Sequence, residues 1–345
     1  MEKIRRILSI DGGGIKGTMP AAFLTTVEET TGKRIVDHFD LIAGTSTGGI
    51  IALGLGLGLT ARDILTFYEE EGPKIFGQSE GNRSVLGWIM QMLDSKVRSA
   101  RRIFSSKYNQ EALRTALERA FGRRTLSEST TRLIIPAFDR ERREVHVFKT
   151  SHHPRFVLDW REHAVDIALA TAAAPTYLPS HSLQNGISLL DGGIWANNPV
   201  GIAAVEAVGV LRWPQDQIYI LSVGCSEEVL AIPASAGMAN LAFKLADIFL
   251  LGQSRSAIGT AKLLTGHTED NKRLYRYQHS ARDGEFLLDS TNRISALKGI
   301  GSGLAREAIL QIESVFLGEH REHFTPFNAT RGEPEASRAN DHPRC

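Results

Sequence analysis

The sequence predicts an α/β fold with a mostly parallel central sheet and helices on both of its faces. Three observations lead there. Strand-length apolar runs alternate with longer segments of helical periodicity along most of the chain. The runs at 5–10, 39–43 and 217–224 are dominated by apolar and β-branched residues, as in strands buried on both faces. No linker, and no repeat of roughly 20 to 50 residues, divides the 345 residues. Residues 1–327 therefore read as a single domain.

The first strand is Arg5 to Ile10, followed by a glycine loop and a helix from Thr18 to Thr31. Phe39 to Ala43 reads as a second buried strand, running into GTSTGG and a glycine-rich apolar helix. Thr60 is placed to cap the next helix, ARDILTFYEEEGPKIF, with Asp63 three residues on as its capping-box partner. Residues 77–107 are the least regular. Within them Leu86, Ile89, Met90, Leu93, Val97, Ala100 and Phe104 fall at helical spacing. A helix over 109–121 precedes two strands, 131–138 and 144–150, turned by DRERRE. Helix signals return at 165–174, a strand at 187–190 ends in DGG, and a helix covers 199–211. The strand QIYILSVG is followed by a long helical stretch at 239–265, a last strand at 273–278 and a last helix at 294–317. Residues 328–345 are polar and aperiodic and read as a disordered tail.

Composition narrows the function classes. Forty basic residues against 39 acidic give a net charge of +1, which argues against a DNA or RNA binder. Two cysteines, Cys225 and Cys345, make no disulfide framework, which fits a reducing, cytoplasmic setting. The amino-terminal MEKIRRILSIDGGG reads as a first strand and not as a signal peptide. The longest apolar run, IIALGLGLGL, is half of the roughly 20 residues that span a bilayer. The expectation is a soluble protein whose membrane contact is peripheral.

Three short motifs carry chemistry. Gly44-Thr45-Ser46-Thr47-Gly48 stands between an apolar strand and a helix, where a tight turn lifts a serine hydroxyl above the sheet edge. The following helix aims its positive N-terminal dipole at that serine. The bland reading is a glycine-rich turn with an ordinary serine. Asp11-Gly12-Gly13-Gly14-Ile15-Lys16-Gly17 also joins a strand to a helix. Its unobstructed backbone N–H groups suit an oxyanion, an effect worth roughly 2.7–4 kcal/mol per donor. The spacing Gly12-x-Gly14-x-x-Gly17 equally matches a dinucleotide fingerprint, although Asp37 and Asp40 lie before the next strand and not at its end. A plain structural turn is the third reading. Asp191-Gly192-Gly193, within LLDGGIWANNP, places an aspartate at a strand end, from which it can reach a serine across the sheet top. Alone, Asp-Gly is a common turn. Asn197 and Asn198 can brace this loop, and Pro199 starts the next helix well.

Taken together, DGGGIKG at 11–17, GTSTG at 44–48 and DGG at 191–193 resemble the patatin-like phospholipase family in both content and order. ALATAAAPTYLPS at 168–180 and WANNP behind the aspartate extend the resemblance, which runs from about residue 5 to 225. The one departure is Lys16, where many members carry arginine; the charge is kept and the fork of donors lost. The resemblance implies a three-layer α/β fold and a Ser–Asp dyad. Ser46 is then the nucleophile, Asp191 its base, and Gly12, Gly13 and Gly14 the oxyanion hole. Lys16, Gly17, Gly44, Gly48, Gly192 and Gly193 support them. The implied reaction is hydrolysis of fatty-acyl esters of membrane phospholipids, with no metal and no cofactor needed for the chemistry. None of His38, His146, His152, His153, His163 and His181 stands where the family places a functional residue, and His152-His153 reads as a loop pair.

Within the family the chain is similar to the short bacterial CapV-type effectors of anti-phage signalling. That similarity implies a cyclic dinucleotide as activator, a homo-oligomer, and a cytoplasmic enzyme that meets the membrane peripherally when active. The alternative is an unregulated lipid acyl hydrolase of general lipid metabolism. Two further expectations concern surfaces. The segment 84–104, with Arg98, Arg101 and Arg102 opposite its apolar stripe, either borders the active site and touches lipid or packs as core. Lys244, Arg255, Lys262, Lys272, Arg273 and Arg276, with Tyr275 and Tyr277 able to stack on a base, are the candidate contacts for a nucleotide.

Overall fold

The period-2 pattern of each apolar run divides its side chains between two cores, and this builds the layers. In the first strand Ile7 joins one core while Leu8 and Ile10 join the other. Ile42 and its neighbours Leu41 and Ala43 divide in the same way, as do Ile134 and its neighbours Leu133 and Ile135. A sheet apolar on both faces must be covered on both.

The computed structural model describes residues 3–76, 110–175, 177–228, 238–282, 285–286 and 291–327. The strands are β1 (Arg5–Ile10), β2 (Leu41–Gly44), β3 (Arg132–Asp139), β4 (Glu144–Lys149), β5 (His181–Ser182), β6 (Ser188–Asp191), β7 (Ile218–Val223), β8 (Glu227–Glu228), β9 (Leu274–Tyr277) and β10 (Ser280–Ala281). The main sheet runs β5-β6-β3-β2-β1-β7-β9, with β4 paired to β3; β8 and β10 form a separate two-stranded ladder. β3, β2, β1, β7 and β9 are parallel neighbours, and β4, β6 and β5 join antiparallel. The sheet is thus mostly parallel, as expected.

One face carries α1 (Thr18–Thr31), α2 (Thr47–Gly56), α3 (Ala61–Phe76), α4 (Gln110–Phe121), α5 (Ala164–Thr171) and α9 (Ile294–Phe316). The other carries α7 (Val200–Val205) and α8 (Met238–Leu264), packed through Val200, Ala203, Ala204 and Ala261 onto Ile7, Leu41, Ile134 and Ile220. A short helix, α6 (Gly193–Ala196), follows β6. At α3 the expected capping box is present. The Thr60 N–H donates to the Asp63 carboxylate at 2.9 Å, and the Asp63 N–H donates to Thr60 Oγ1 at 3.0 Å.

Two helices end earlier than their periodicity suggests. The helix expected over 165–174 stops at Thr171, whose hydroxyl is used elsewhere, and the one over 199–211 turns into a π-helical segment at Glu206–Val210. That π segment lets buried Glu206 take both Lys149 Nζ at 2.6 Å and His152 Nε2 at 3.0 Å. The segment 84–104, the tail 328–345 and the Lys244 side chain lie outside the described residues.

The sheet register places the site. Ala43 pairs with Ile134 of β3, and Asp191 pairs with Ala137 of the same strand. Ile134 and Ala137 also pair with Lys149 and His146 of β4. A strand residue has one partner on each edge, so β2 and β6 share one edge of β3. β6 therefore stops at Asp191 just beyond the carboxyl end of β2, where Ser46 begins the next turn.

Candidate active site

Ser46 closes the turn between β2 and α2 with φ 54° and ψ −121°. This left-handed conformation is costly for a residue with a Cβ and marks a held position. The turn survives because its flanks are glycines. A Cβ on Gly48 would lie 2.3 Å from the Ile10 carbonyl oxygen. Ser46 caps α2 with its backbone, its carbonyl accepting the Ile50 N–H at 3.0 Å, and its hydroxyl makes no cap bond. The Ser46 N–H donates to Thr171 Oγ1 at 3.0 Å, and Thr171 Oγ1 in turn donates to the Pro136 carbonyl at 2.6 Å. Thr171 therefore ties the serine turn to β3. It lies inside the ALATAAAPTYLPS segment, where a threonine at the end of an apolar helix was the only signal of its role.

Asp191 is buried, and among the described residues no cation is its partner. Burial pushes its carboxyl up to about 6, while the Gly193 N–H, donating at 2.6 Å, and the neighbouring Ser46 side chain pull the other way. The carboxylate is then basic enough to take a proton and still ionised near neutral pH. The structure brings Ser46, Asp191 and the 11–14 loop together at the carboxyl end of the sheet.

In that loop the three glycines are not equivalent. The Gly12 N–H donates to the Asn197 carbonyl at 2.9 Å. A Cβ on Gly12 would lie 2.4 Å from Asn197 Oδ1. The N–H groups of Gly13 and Gly14 donate to no acceptor among the described residues. Lys16 Nζ donates to the Ser226 carbonyl at 3.2 Å, and Gly17 packs under Thr47, where a Cβ would overlap the threonine side chain. Asp11 at the head of the loop is buried and held by both guanidinium nitrogens of Arg276, one at 2.8 Å. Cys225 lies beneath Gly13; burial pushes its thiol up to about 12, so it serves as packing and not as a nucleophile.

Several candidate nucleotide contacts are committed elsewhere. Arg276 is half-buried and bound to Asp11 and Ser222. Tyr275 is buried edge-on to Phe316 at 5.3 Å, and Tyr277 lies 5.3 Å from Phe23 with its hydroxyl donating to Gln311. The Tyr275 ring is not open to stack on a base, a correction to the sequence expectation, while Tyr277 is half-buried. Lys272 and Arg273 lie over Tyr275 and Tyr219. The histidines with described partners are also engaged away from Ser46: His152 with Glu206, His181 with Asp166, His38 with Glu319 and His163 with Arg123. Among the described residues no cluster of three or more metal-ligating side chains is present. No described helix is long and apolar enough to cross a membrane. Asp40 accepts the Arg6 N–H at 3.0 Å, at the amino end of β1, opposite the glycine loop. It cannot serve a dinucleotide ribose held there.

The patatin-like phospholipase model matches residues 8–204. A "cGAMP-activated phospholipase" of Pseudomonas aeruginosa is 34% identical over 220 residues, 63% of this chain and 61% of that protein. The chain thus covers less than two thirds of that relative's length. A second "cGAMP-activated phospholipase", from Escherichia coli, is 30% identical over 89% of this chain and 85% of its own. "Patatin-like protein 4" of Arabidopsis thaliana is 30% identical over 89% of this chain and 84% of its own. The matched region contains the serine turn, the glycine loop and the aspartate loop in one sheet edge, and the chain belongs to the patatin-like phospholipase family.

Proposed function

We propose that this chain is a lipid acyl hydrolase that cleaves fatty-acyl esters of membrane phospholipids through Ser46 and Asp191, and that a cyclic dinucleotide switches it on. The observation that carries the reading is the pairing of a serine in a left-handed strand-to-helix turn with a buried, cation-free carboxyl raised to about 6.

Asp191 takes the Ser46 proton as Oγ attacks the ester carbonyl carbon. The carbonyl oxygen becomes an oxyanion, received by the Gly13 and Gly14 amides and favoured by the N-terminus of α2. The lysolipid oxygen leaves with the proton from Asp191, and an acyl-serine remains. Water then gives its proton to Asp191 and attacks the acyl carbon; Ser46 departs, recovers the proton, and the fatty acid is released. Gly12 braces Asn197 in this scheme, leaving two amides of the three for the oxyanion.

Activation by a cyclic dinucleotide is supported by two relatives named for cGAMP, one of them similar across 89% of this chain. The second reading is an unregulated lipid acyl hydrolase of general lipid metabolism; "Patatin-like protein 4" of Arabidopsis, whose name gives the family alone, is similar over an equal share of the chain. A cytoplasmic enzyme meeting the membrane peripherally, and a homo-oligomer, accompany the first reading. A fluorogenic phospholipid assay with and without cGAMP, with mass followed by light scattering, separates the two. Stimulation by cGAMP, lost in Ser46→Ala, is expected; full activity without ligand supports the second reading, and no hydrolysis in either condition overturns both.

A further inference from the structure

Helix α8 lies on the sheet face opposite the serine helix and is docked there through Ala261 and against Gly201, where a Cβ would sit 3.1 Å from the Ala257 backbone. One of its turns, Gln253-Ser254-Arg255, reaches both loops of the site. The Gln253 amide is used at both ends: its Oε1 accepts the Asn197 N–H at 2.5 Å, and its Nε2 donates to the Ile194 carbonyl at 3.3 Å. Ile194 lies in α6, immediately behind Asp191. The Asn197 carbonyl accepts the Gly12 N–H at 2.9 Å, and Asn197 Nδ2 approaches the Gly12 carbonyl at 3.4 Å. Ser254 Oγ accepts from Asn198 Nδ2 at 3.0 Å. A second thread runs from Arg255 to Glu227 at 3.8 Å, from Glu227 to Gln278 at 2.7 Å, and through Arg276 to Asp11.

We propose that Gln253 is a positioning residue for the ester hydrolysis proposed above, on which this inference rests: its side-chain amide sets the distance between the aspartate loop and the glycine loop. The amide supplies an acceptor to Asn197 and a donor to Ile194 at once, which neither an alkyl side chain nor an ionised carboxylate of the same length can do. Through Asn197, one residue of α8 fixes where the oxyanion donors stand relative to Asp191. A displacement of α8 therefore reaches the base and the oxyanion donors together. Misplacement by about 1 Å costs on the order of 10²-fold in rate.

The test uses the full chain, with and without cGAMP, on a short soluble p-nitrophenyl ester. Gln253→Leu is expected to lower kcat about 10- to 100-fold with little change in KM. Its acid limb of kcat/KM should move to lower pH, because a loosened loop admits water to Asp191. Gln253→Glu keeps the acceptor for Asn197 and is expected to recover part of kcat, and it serves if the leucine variant does not fold. Wild-type kcat and pH profile in both variants overturn the inference. So does a loss of rate that follows melting temperature with an unmoved acid limb. Ser46→Ala, run alongside, separates the two layers: if it hydrolyses the ester at the wild-type rate, the reading of Ser46 falls; if it is inactive while Gln253→Leu is normal, only the role of Gln253 falls.

Discussion

Asp11-Gly12-Gly13 and Asp191-Gly192-Gly193 are the same tripeptide, each at the carboxyl end of a strand in one sheet, and both aspartates are 5% exposed. Their environments differ in one respect. Burial raises Asp11, and Arg276 from β9, which binds both of its oxygens, offsets part of that rise. Asp191 has only an N–H and a serine hydroxyl to set against burial, and stays at about 6. One aspartate is paired with a guanidinium and anchors a loop; the other is the proposed base. Local sequence makes the turn, and a strand 265 residues away decides what the carboxylate does.

The contrast can be broken most sharply at the base. Asp191→Asn and Ser46→Ala are each expected to lower hydrolysis of a phospholipid by at least ~10³-fold with the fold retained, checked by kinetics beside circular dichroism. Arg276→Met should do the reverse. It strands Asp11 without its partner and should cost about 3–5 kcal/mol in urea unfolding, since breaking a buried pair leaves an uncompensated charge. Should Arg276→Met be as stable as wild type, Asp11 is not the anchor described.

The pH dependence sharpens the comparison. Asp191 is raised in the folded state, so its ionisation favours the unfolded chain. The stability it allows is full below about pH 4 and is lost as pH rises to about 6. Asp191→Asn should therefore be more stable than wild type above pH 6, by on the order of 2–3 kcal/mol, with the gap closing below pH 4. In the wild type, kcat/KM should fall on the acid side with a midpoint near 6. A midpoint near 4 contradicts a desolvated base. The smallest effect is expected at Thr171→Val, which leaves the Ser46 N–H without its acceptor: about 10-fold in kcat and about 1–3 kcal/mol in stability.

The serine turn, the glycine loop and the aspartate loop were legible because each is a local pattern, a strand end followed by small residues at a helix start. The parallel core strands were legible from their apolar runs, and the α3 cap from Thr60 and Asp63. What stayed hidden depends on contacts between distant segments. Nothing near Gly12 in the chain says that its amide is given to Asn197, and nothing near Arg276 says that it is bound to Asp11 instead of meeting a ligand. Tyr275 and Tyr277 flank Arg276 like a binding strip, yet Tyr275 is buried against Phe316 of α9 and Tyr277 half-buried against Phe23 of α1. The partners of Glu206 at the π-helical end of α7, Lys149 and His152, were hidden because they lie more than 50 residues earlier.

The shared edge of β3 also acts as a ruler. Ala43 and Asp191 are registered on Ile134 and Ala137 of one strand, so three residues of β3 set the spacing between the end of β2, which leads into the Ser46 turn, and Asp191. Each residue of a strand is worth about 3.3 Å. A single insertion or deletion between Ile134 and Ala137 would shift the base by that amount and turn alternate side chains to the opposite face. The DRERRE turn between β3 and β4 lies beyond the measured interval, so lengthening there leaves the spacing intact. Descendants of this chain should therefore vary freely in that turn while keeping the 134–137 interval at constant length.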